Sequence, residues 1–188
     1  MSKNYLNCPQ KREVEDILLS FFKLDNVVAL PGPNINEFIE NLVSRGFKSI
    51  KLYEYKRLEM QKQLLDLKPK NLKKVKSFTL SPFLNAPIEK NTLYLADYCG
   101  KISSFKKDII KFDKNIIYTF TRSRTKGSNG NDEFVMLEYL KIRNENIISK
   151  QKLEIGRHNY LHYTTNKGKY IFVCYKDTSP MCCIAKIK

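Results

Sequence analysis

The sequence predicts an α/β domain with a mostly parallel central sheet, helices on both faces and a C-terminal antiparallel hairpin. Short apolar or β-branched runs alternate repeatedly with segments of helical spacing, the pattern of strand–helix–strand units around a parallel sheet. Right-handed crossovers between parallel strands place helices on both faces. The last third changes character: Tyr160–Thr165, Tyr170–Tyr175 and Cys182–Ile187 are β-rich, and Asp177-Thr178-Ser179-Pro180 makes a turn between the last two. A chain of 188 residues suits one domain over 1–188. Within it, residues 1–24 read as a helical extension, and no internal repeat is present.

Each element has a local cause. Pro9 suits a first helical turn, and Val14, Ile17, Leu18, Phe21 and Phe22 recur at helical spacing. The apolar run Val27-Val28-Ala29-Leu30 stops at Pro31-Gly32-Pro33, as a buried strand entering a turn does. Asn36 can cap a helix with Phe38, Ile39, Leu42 and Val43 on one face, closed by Gly46. Ser49–Glu54 predicts the second strand, about 56–67 a helix, and Val75–Leu80 the third strand after a lysine-rich segment. Thr92–Ala96 is the clearest strand and leads into Asp97-Tyr98-Cys99-Gly100. A helix through Ile102, Phe105, Ile109 and Phe112 follows, then a fifth strand over Asn115–Thr121. Asn131 can cap a further helix through Phe134, Leu137 and Leu140.

Charge narrows the partners. Lys and Arg number 34 against 19 Asp and Glu, a net charge of +15. That is above the roughly 2–8 usual for a small domain. Such a field attracts nucleic acid or an anionic membrane surface. The cysteines number 5, without a CxxC pair, so reduced thiols are expected and a metal site is not. No signal-peptide core and no run of about 18 apolar residues occurs. A cytoplasmic protein without membrane partners is the expectation. His158 and His162 are four apart in a segment that reads as strand, which does not suggest a metal pair.

In an open parallel sheet, ligands bind beyond the C-terminal strand ends. The residues there are Pro31, Gly32 and Asn34 after the first strand and Glu54 at the end of the second. Asp97 and Tyr98 follow the fourth, and Arg122, Arg124 and Lys126 the fifth. Glycine lets a backbone approach a ligand closely, and a strand-end carboxylate can accept hydrogen bonds from ribose hydroxyls. Asp97 could instead cap a helix beginning near Lys101.

On the LPG turn, the strand-end Glu54 and the ADYCG segment, the chain from about Asn26 to Lys188 resembles the class I S-adenosylmethionine-dependent methyltransferases. It is most similar to the degenerate, Rossmann-like members of viruses and mobile elements. The resemblance implies S-adenosylmethionine as cofactor, held by Pro31, Gly32, Asn34, Glu54 and Asp97. It implies that Asp97 and Tyr98 are catalytic, with the carboxylate accepting hydrogen bonds from a target amine and the ring stacking on the target base. The single Gly32 stands between Pro31 and Pro33 where the family is glycine-rich.

Arg122, Arg124 and Lys126 are the candidate nucleic-acid contacts, because the guanidinium fork matches phosphate. Three functions follow: a methyltransferase acting on nucleic acid, with a base amine favoured; a nucleic-acid-binding protein on the same scaffold without methyl transfer; and a mobile-element interaction or inhibitory protein.

Overall fold

The computed structural model describes residues 9–32, 34–101, 104, 107, 111–112, 115–121, 137–138, 140–142, 144–176 and 180–187. Strands β1 (Asn26–Ala29), β2 (Ser49–Glu54), β3 (Val75–Leu80), β4 (Thr92–Lys101) and β5 (Ile116–Thr121) are mutually parallel. Strands β6 (Ile147–Ile155), β7 (His158–Thr165), β8 (Gly168–Lys176) and β9 (Pro180–Ile187) continue the sheet antiparallel. The order is β3-β2-β1-β4-β5-β9-β8-β7-β6. The chain leaves β1 toward β2 on one side, while β4 pairs with the other side of β1. The topological switch point therefore lies between β1 and β4, where open sheets bind ligands.

The helices include α1 (Pro9–Ser20), α2 (Ile35–Ser44), α3 (Arg57–Asp66) and the short α4 (Pro69–Leu72). Helices α1 and α2 bury Val14, Leu18, Ile35 and Ile39 on one sheet face, against Leu93 of β4 and Ile171 of β8. Each such fully buried aliphatic side chain contributes about 1.5–3 kcal/mol. The other face is aromatic: Phe83, Tyr94, Phe112 and Tyr118 cluster there, with the Tyr94 and Phe112 rings stacked at 4.7 Å. Aromatic and β-branched residues pack well on a pleated surface, which is why β4 and β5 carry this cluster.

Several expectations change. Helices α1 and α2 pack on one face, and the aromatic face is covered by a 3-10 turn, Phe83–Asn85, by Phe112 and by the helical Leu137. The predicted helices through 102–112 and 131–140 fall largely outside the described residues. The C-terminal hairpin is part of a four-stranded antiparallel half. Its last strand, β9, lies inside the sheet against β5, and β6 takes the edge. Strand β6 escapes prediction because its lysines, glutamine and glutamate face water and leave a weak apolar alternation.

Asn34, and not Asn36, caps α2, accepting the Glu37 N–H at 3.5 Å. Asn36 instead ties α2 to the start of α4. It donates to the Asp66 carbonyl at 2.7 Å and accepts from the Lys68 N–H at 2.9 Å. Gly46 ends the helix at φ +90, as expected.

Candidate active site at the switch point

A cavity of 460 Å³ opens between α1, α2 and the ends of β1, β4 and β5. That volume is ordinary for a small-molecule site, about 300–1,000 Å³. Leu19, Leu30, Phe38, Leu95 and Ile117 give it apolar walls. Its charged lining is mostly acidic: Glu15, Asp16, Glu37, Glu40 and Asp97 against Lys11 and Arg12. The sign is the reverse of the chain's net +15.

The centre of the site is an ion pair between α1 and β4. Lys11 Nζ donates to Asp97 Oδ2, with both side chains about three-quarters buried. Glu15, one turn along the same helix, lies 3.7 Å from Lys11 Nζ. Burial opposes the Lys11 charge, yet Asp97 and Glu15 together outweigh it and hold the ammonium well above its ordinary range. Burial acts on Glu15 in the other sense. It pushes the carboxyl up to about 7, with Lys11 opposing and the Asp97 and Asp16 charges adding to the rise. Behind them, Thr119 Oγ1 and Cys183 Sγ lie 3.2 Å apart, and burial pushes the Cys183 thiol up to about 12.

The rim is fixed by further pairs. Arg12 donates to Glu37 Oε2 at 2.6 Å, which locks α1 to the first turn of α2. Asp16 meets Arg45 at 2.9 Å, and Glu13 lies within 3.9 Å of His158 on β7. Helix α1 is therefore bound to both halves of the sheet and roofs the cavity.

The strand-end residues separate into distinct roles. Gly32 lines the cavity, and a Cβ built on it meets no atom within 4 Å, so the glycine leaves open space there. Asn34 also lines it while capping α2. Pro31 is buried, and its carbonyl accepts from Gln63 Nε2 at 3.4 Å. Glu54 stands at the end of β2, outside the cavity lining, and its Oε1 accepts the Lys56 N–H at 2.9 Å.

Asp97 and Tyr98 do not form a pair on one target. Both lie inside β4, which runs on to Lys101, so their side chains take opposite faces. Asp97 enters the cavity; Tyr98 is 8% exposed and packs edge-on to Phe83 at 6.5 Å. Asp97 lies within a strand that runs on to Lys101, so it does not stand at the start of a helix. Arg122, Arg124 and Lys126 lie outside the described residues.

Lys11, Arg12, Glu15 and Thr119 line the cavity without having been expected to. The available signal was the Lys11–Glu15 spacing of four on a predicted helix. Its usual meaning is a solvated surface pair. Among the described residues no His, Cys, Asp and Glu side chains gather as a metal site.

No family model and no curated protein sequence matches the chain. Solved structures do match its fold. An rRNA methylase from Streptococcus thermophilus superposes with a TM-score of 0.52 at 12% identity, over 97% of this chain and 99% of that one. The tRNA methyltransferase TrmI from Aquifex aeolicus gives 0.54 at 14% identity, over 100% of this chain and 72% of that one. The N-methyltransferase NodS from Bradyrhizobium japonicum, in complex with S-adenosyl-l-homocysteine, gives 0.52 at 9% identity, over 100% and 94%. The chain has the methyltransferase fold. In that fold, the cavity beside Gly32 and Asp97 occupies the switch point of the sheet.

The residues present fit the charge of S-adenosylmethionine, whose sulfonium and ammonium groups are cationic. The cavity is acidic, and Gly32 leaves room. No helix among the described residues is long and apolar enough to cross a membrane.

Proposed function

We propose that the chain is an S-adenosylmethionine-dependent methyltransferase acting on nucleic acid, with a base amine as target. One observation carries the reading: a cavity with acidic walls at the switch point of a methyltransferase fold, in a chain of net charge +15. The outer field draws a polyanion. The inner wall suits a cationic cofactor. When bound, the sulfonium supplies an activated methyl group, and the protein's work is positioning.

In this reading Gly32 and Asn34 border the amino-acid half of the cofactor. Glu54 accepts from the ribose hydroxyls, with Pro31 shaping the turn between them. Asp97 accepts a hydrogen bond from the target amine, and Glu15 takes up the proton the amine gives up. Tyr98 supports Asp97 from the far face by anchoring β4 in the aromatic cluster, and it does not stack on the base. Arg122, Arg124 and Lys126, which follow β5 in the sequence, hold phosphate.

The test is transfer of a labelled methyl group from S-adenosylmethionine to single-stranded RNA and DNA. Asp97→Ala should abolish transfer and leave affinity for nucleic acid unchanged. Loss of both would refute the role given to Asp97.

One observation favours a second reading. Lys11 already holds Asp97, which puts a cation beside the place a sulfonium would occupy and fills the acceptor. On that reading the fold binds nucleic acid without methyl transfer, and Lys11 permanently closes the site.

A further inference from the structure

The segment that leads to β3, the sheet edge far from the antiparallel half, is rich in exposed leucines. Leu65 is 86% exposed, Leu58 71%, Tyr55 62% and Leu72 53%. All lie between β2 and β3, and Leu80 at the end of β3 is exposed as well. Isolated exposed leucines need no explanation, whereas several within one short segment do. Leu58 and Leu65 are seven apart on α3, hence on one side of that helix.

The same stretch, residues 55–80, holds eight Lys and Arg against two acidic residues. Lys62 pairs with Glu59 at 3.5 Å and Lys70 with Glu40 at 2.9 Å. Lys68, Lys73, Lys74 and Lys76 form no ion pair among the described residues. Among the described residues strand β3 is the sheet edge and pairs with β2 alone. One side of its backbone thus has hydrogen bonds to offer.

These three features select among occupants. A second copy of the chain would set like charges against each other. Nucleic acid would use the lysines but leaves the leucines unexplained. A lipid surface would take leucines and lysines, but it cannot pair with a strand edge. An acidic, aliphatic strand satisfies all three at once.

We propose that the α3–α4–β3 edge is a docking surface for an acidic, aliphatic segment of a partner protein, which adds as a strand alongside β3. Its carboxylates meet Lys73, Lys74 and Lys76. Its aliphatic side chains meet Leu65 and Leu72. The surface is separate from the cavity between α1, α2 and β4, so the inference stands apart from the methyltransferase reading.

The experiment is selection of binders to the full chain from a random display library of short linear peptides, followed by titration of the enriched peptides. The expected peptides alternate Asp or Glu with Val, Ile or Leu. They should shift the backbone amide resonances of Val75–Leu80. The combined variant Lys73→Glu, Lys74→Glu, Lys76→Glu should weaken them at least tenfold, as should Leu65→Ser with Leu72→Ser. Asp97→Asn should leave their affinity unchanged. Circular dichroism of the variants shows whether they remain folded, and the resonance shifts of the wild-type chain do not depend on them. No enrichment, basic or neutral consensus peptides, or shifts confined to the cavity would overturn the proposal. So would stronger binding of single-stranded RNA or phosphatidylserine vesicles at the same amides.

Discussion

Lys11 donates a charge-assisted hydrogen bond to Asp97 across 86 positions of sequence, and this contact joins the roof of the cavity to its floor. It is the shared element of both functional readings. If Lys11 is a displaceable occupant, removing it opens the site. If it closes the site permanently, removing it exposes a cavity with no cofactor affinity.

Lys11→Met leaves Asp97 and Glu15 facing one another in a part-buried space. Removing one partner of such a pair costs about 1–3 kcal/mol. Asp97→Asn in the same background removes the repulsion, so the double variant should lose less than the two single variants added together. Urea denaturation of the four proteins measures this coupling, expected at 0.5 kcal/mol or more, roughly. Strict additivity would contradict the pair.

Glu15 gives the stability a pH dependence of known sign. Its carboxyl is raised to about 7 in the fold, chiefly by burial, against an ordinary value of 4.5. The folded chain therefore holds that proton more tightly than the unfolded chain does. The stabilising contribution is fully present below pH 4.5 and is lost as the pH rises through 7. Glu15→Gln should flatten the fall in the urea midpoint between pH 5 and 8. An unchanged slope would show that Glu15 does not titrate in this window.

Two glycines should separate folding from binding. Gly168 has φ +133, and a Cβ there would lie 2.9 Å from the Ile187 carbonyl oxygen. Gly168→Ala should cost about 1–3 kcal/mol and leave ligand affinity intact in the folded fraction. Gly32→Ala meets nothing within 4 Å and should keep the wild-type melting temperature. Its methyl group intrudes on the cavity, so S-adenosylhomocysteine affinity should fall tenfold or more. Thermal unfolding and calorimetry together check the contrast.

The two asparagines flanking the start of α2 should rank in an order that the sequence alone reverses. Asn36→Ala strands the Lys68 N–H and the Asp66 carbonyl, at about 1–3 kcal/mol. Asn34→Ala loses a long cap bond of 3.5 Å, at about 0.5–1 kcal/mol. Denaturant midpoints give the ranking directly.

Nucleic-acid binding should weaken with salt in proportion to the phosphates contacted. Replacing Arg122, Arg124 and Lys126 together by Ala should reduce the slope of log K against log salt by about 2–3, at roughly 0.7–0.9 per contact. An unchanged slope would place the polyanion elsewhere on the basic surface.

The parallel half of this fold is legible because its strands are short, apolar and punctuated. Val27–Leu30 ends at Pro31, and Thr92–Ala96 is a continuous β-rich run. Long-range facts are not legible. Nothing local says that β9 slips between β5 and β8, since that depends on the partner it finds. Nor does local reasoning show that Asp97-Tyr98-Cys99-Gly100 stays in strand, which parts Asp97 from Tyr98 across the sheet. Part of the site was readable: Gly32 and Asn34 follow β1, and with Asp97 of β4 they line the cavity. Its other half comes from α1, whose Lys11 and Glu15 read as surface charges until packing brings them over β4. The exchange of capping duty between Asn34 and Asn36 likewise depends on α4 docking beside α2.

The most direct test is calorimetric titration of the purified chain with S-adenosylmethionine and S-adenosylhomocysteine, in parallel with Lys11→Met, Glu54→Ala and Asp97→Ala. Micromolar binding by the wild type, tightened in Lys11→Met, is the result predicted by a cofactor cavity at the switch point, and loss in Glu54→Ala is the result predicted by the proposed ribose contact. No binding by the wild type or by Lys11→Met, with both proteins folded, would contradict it.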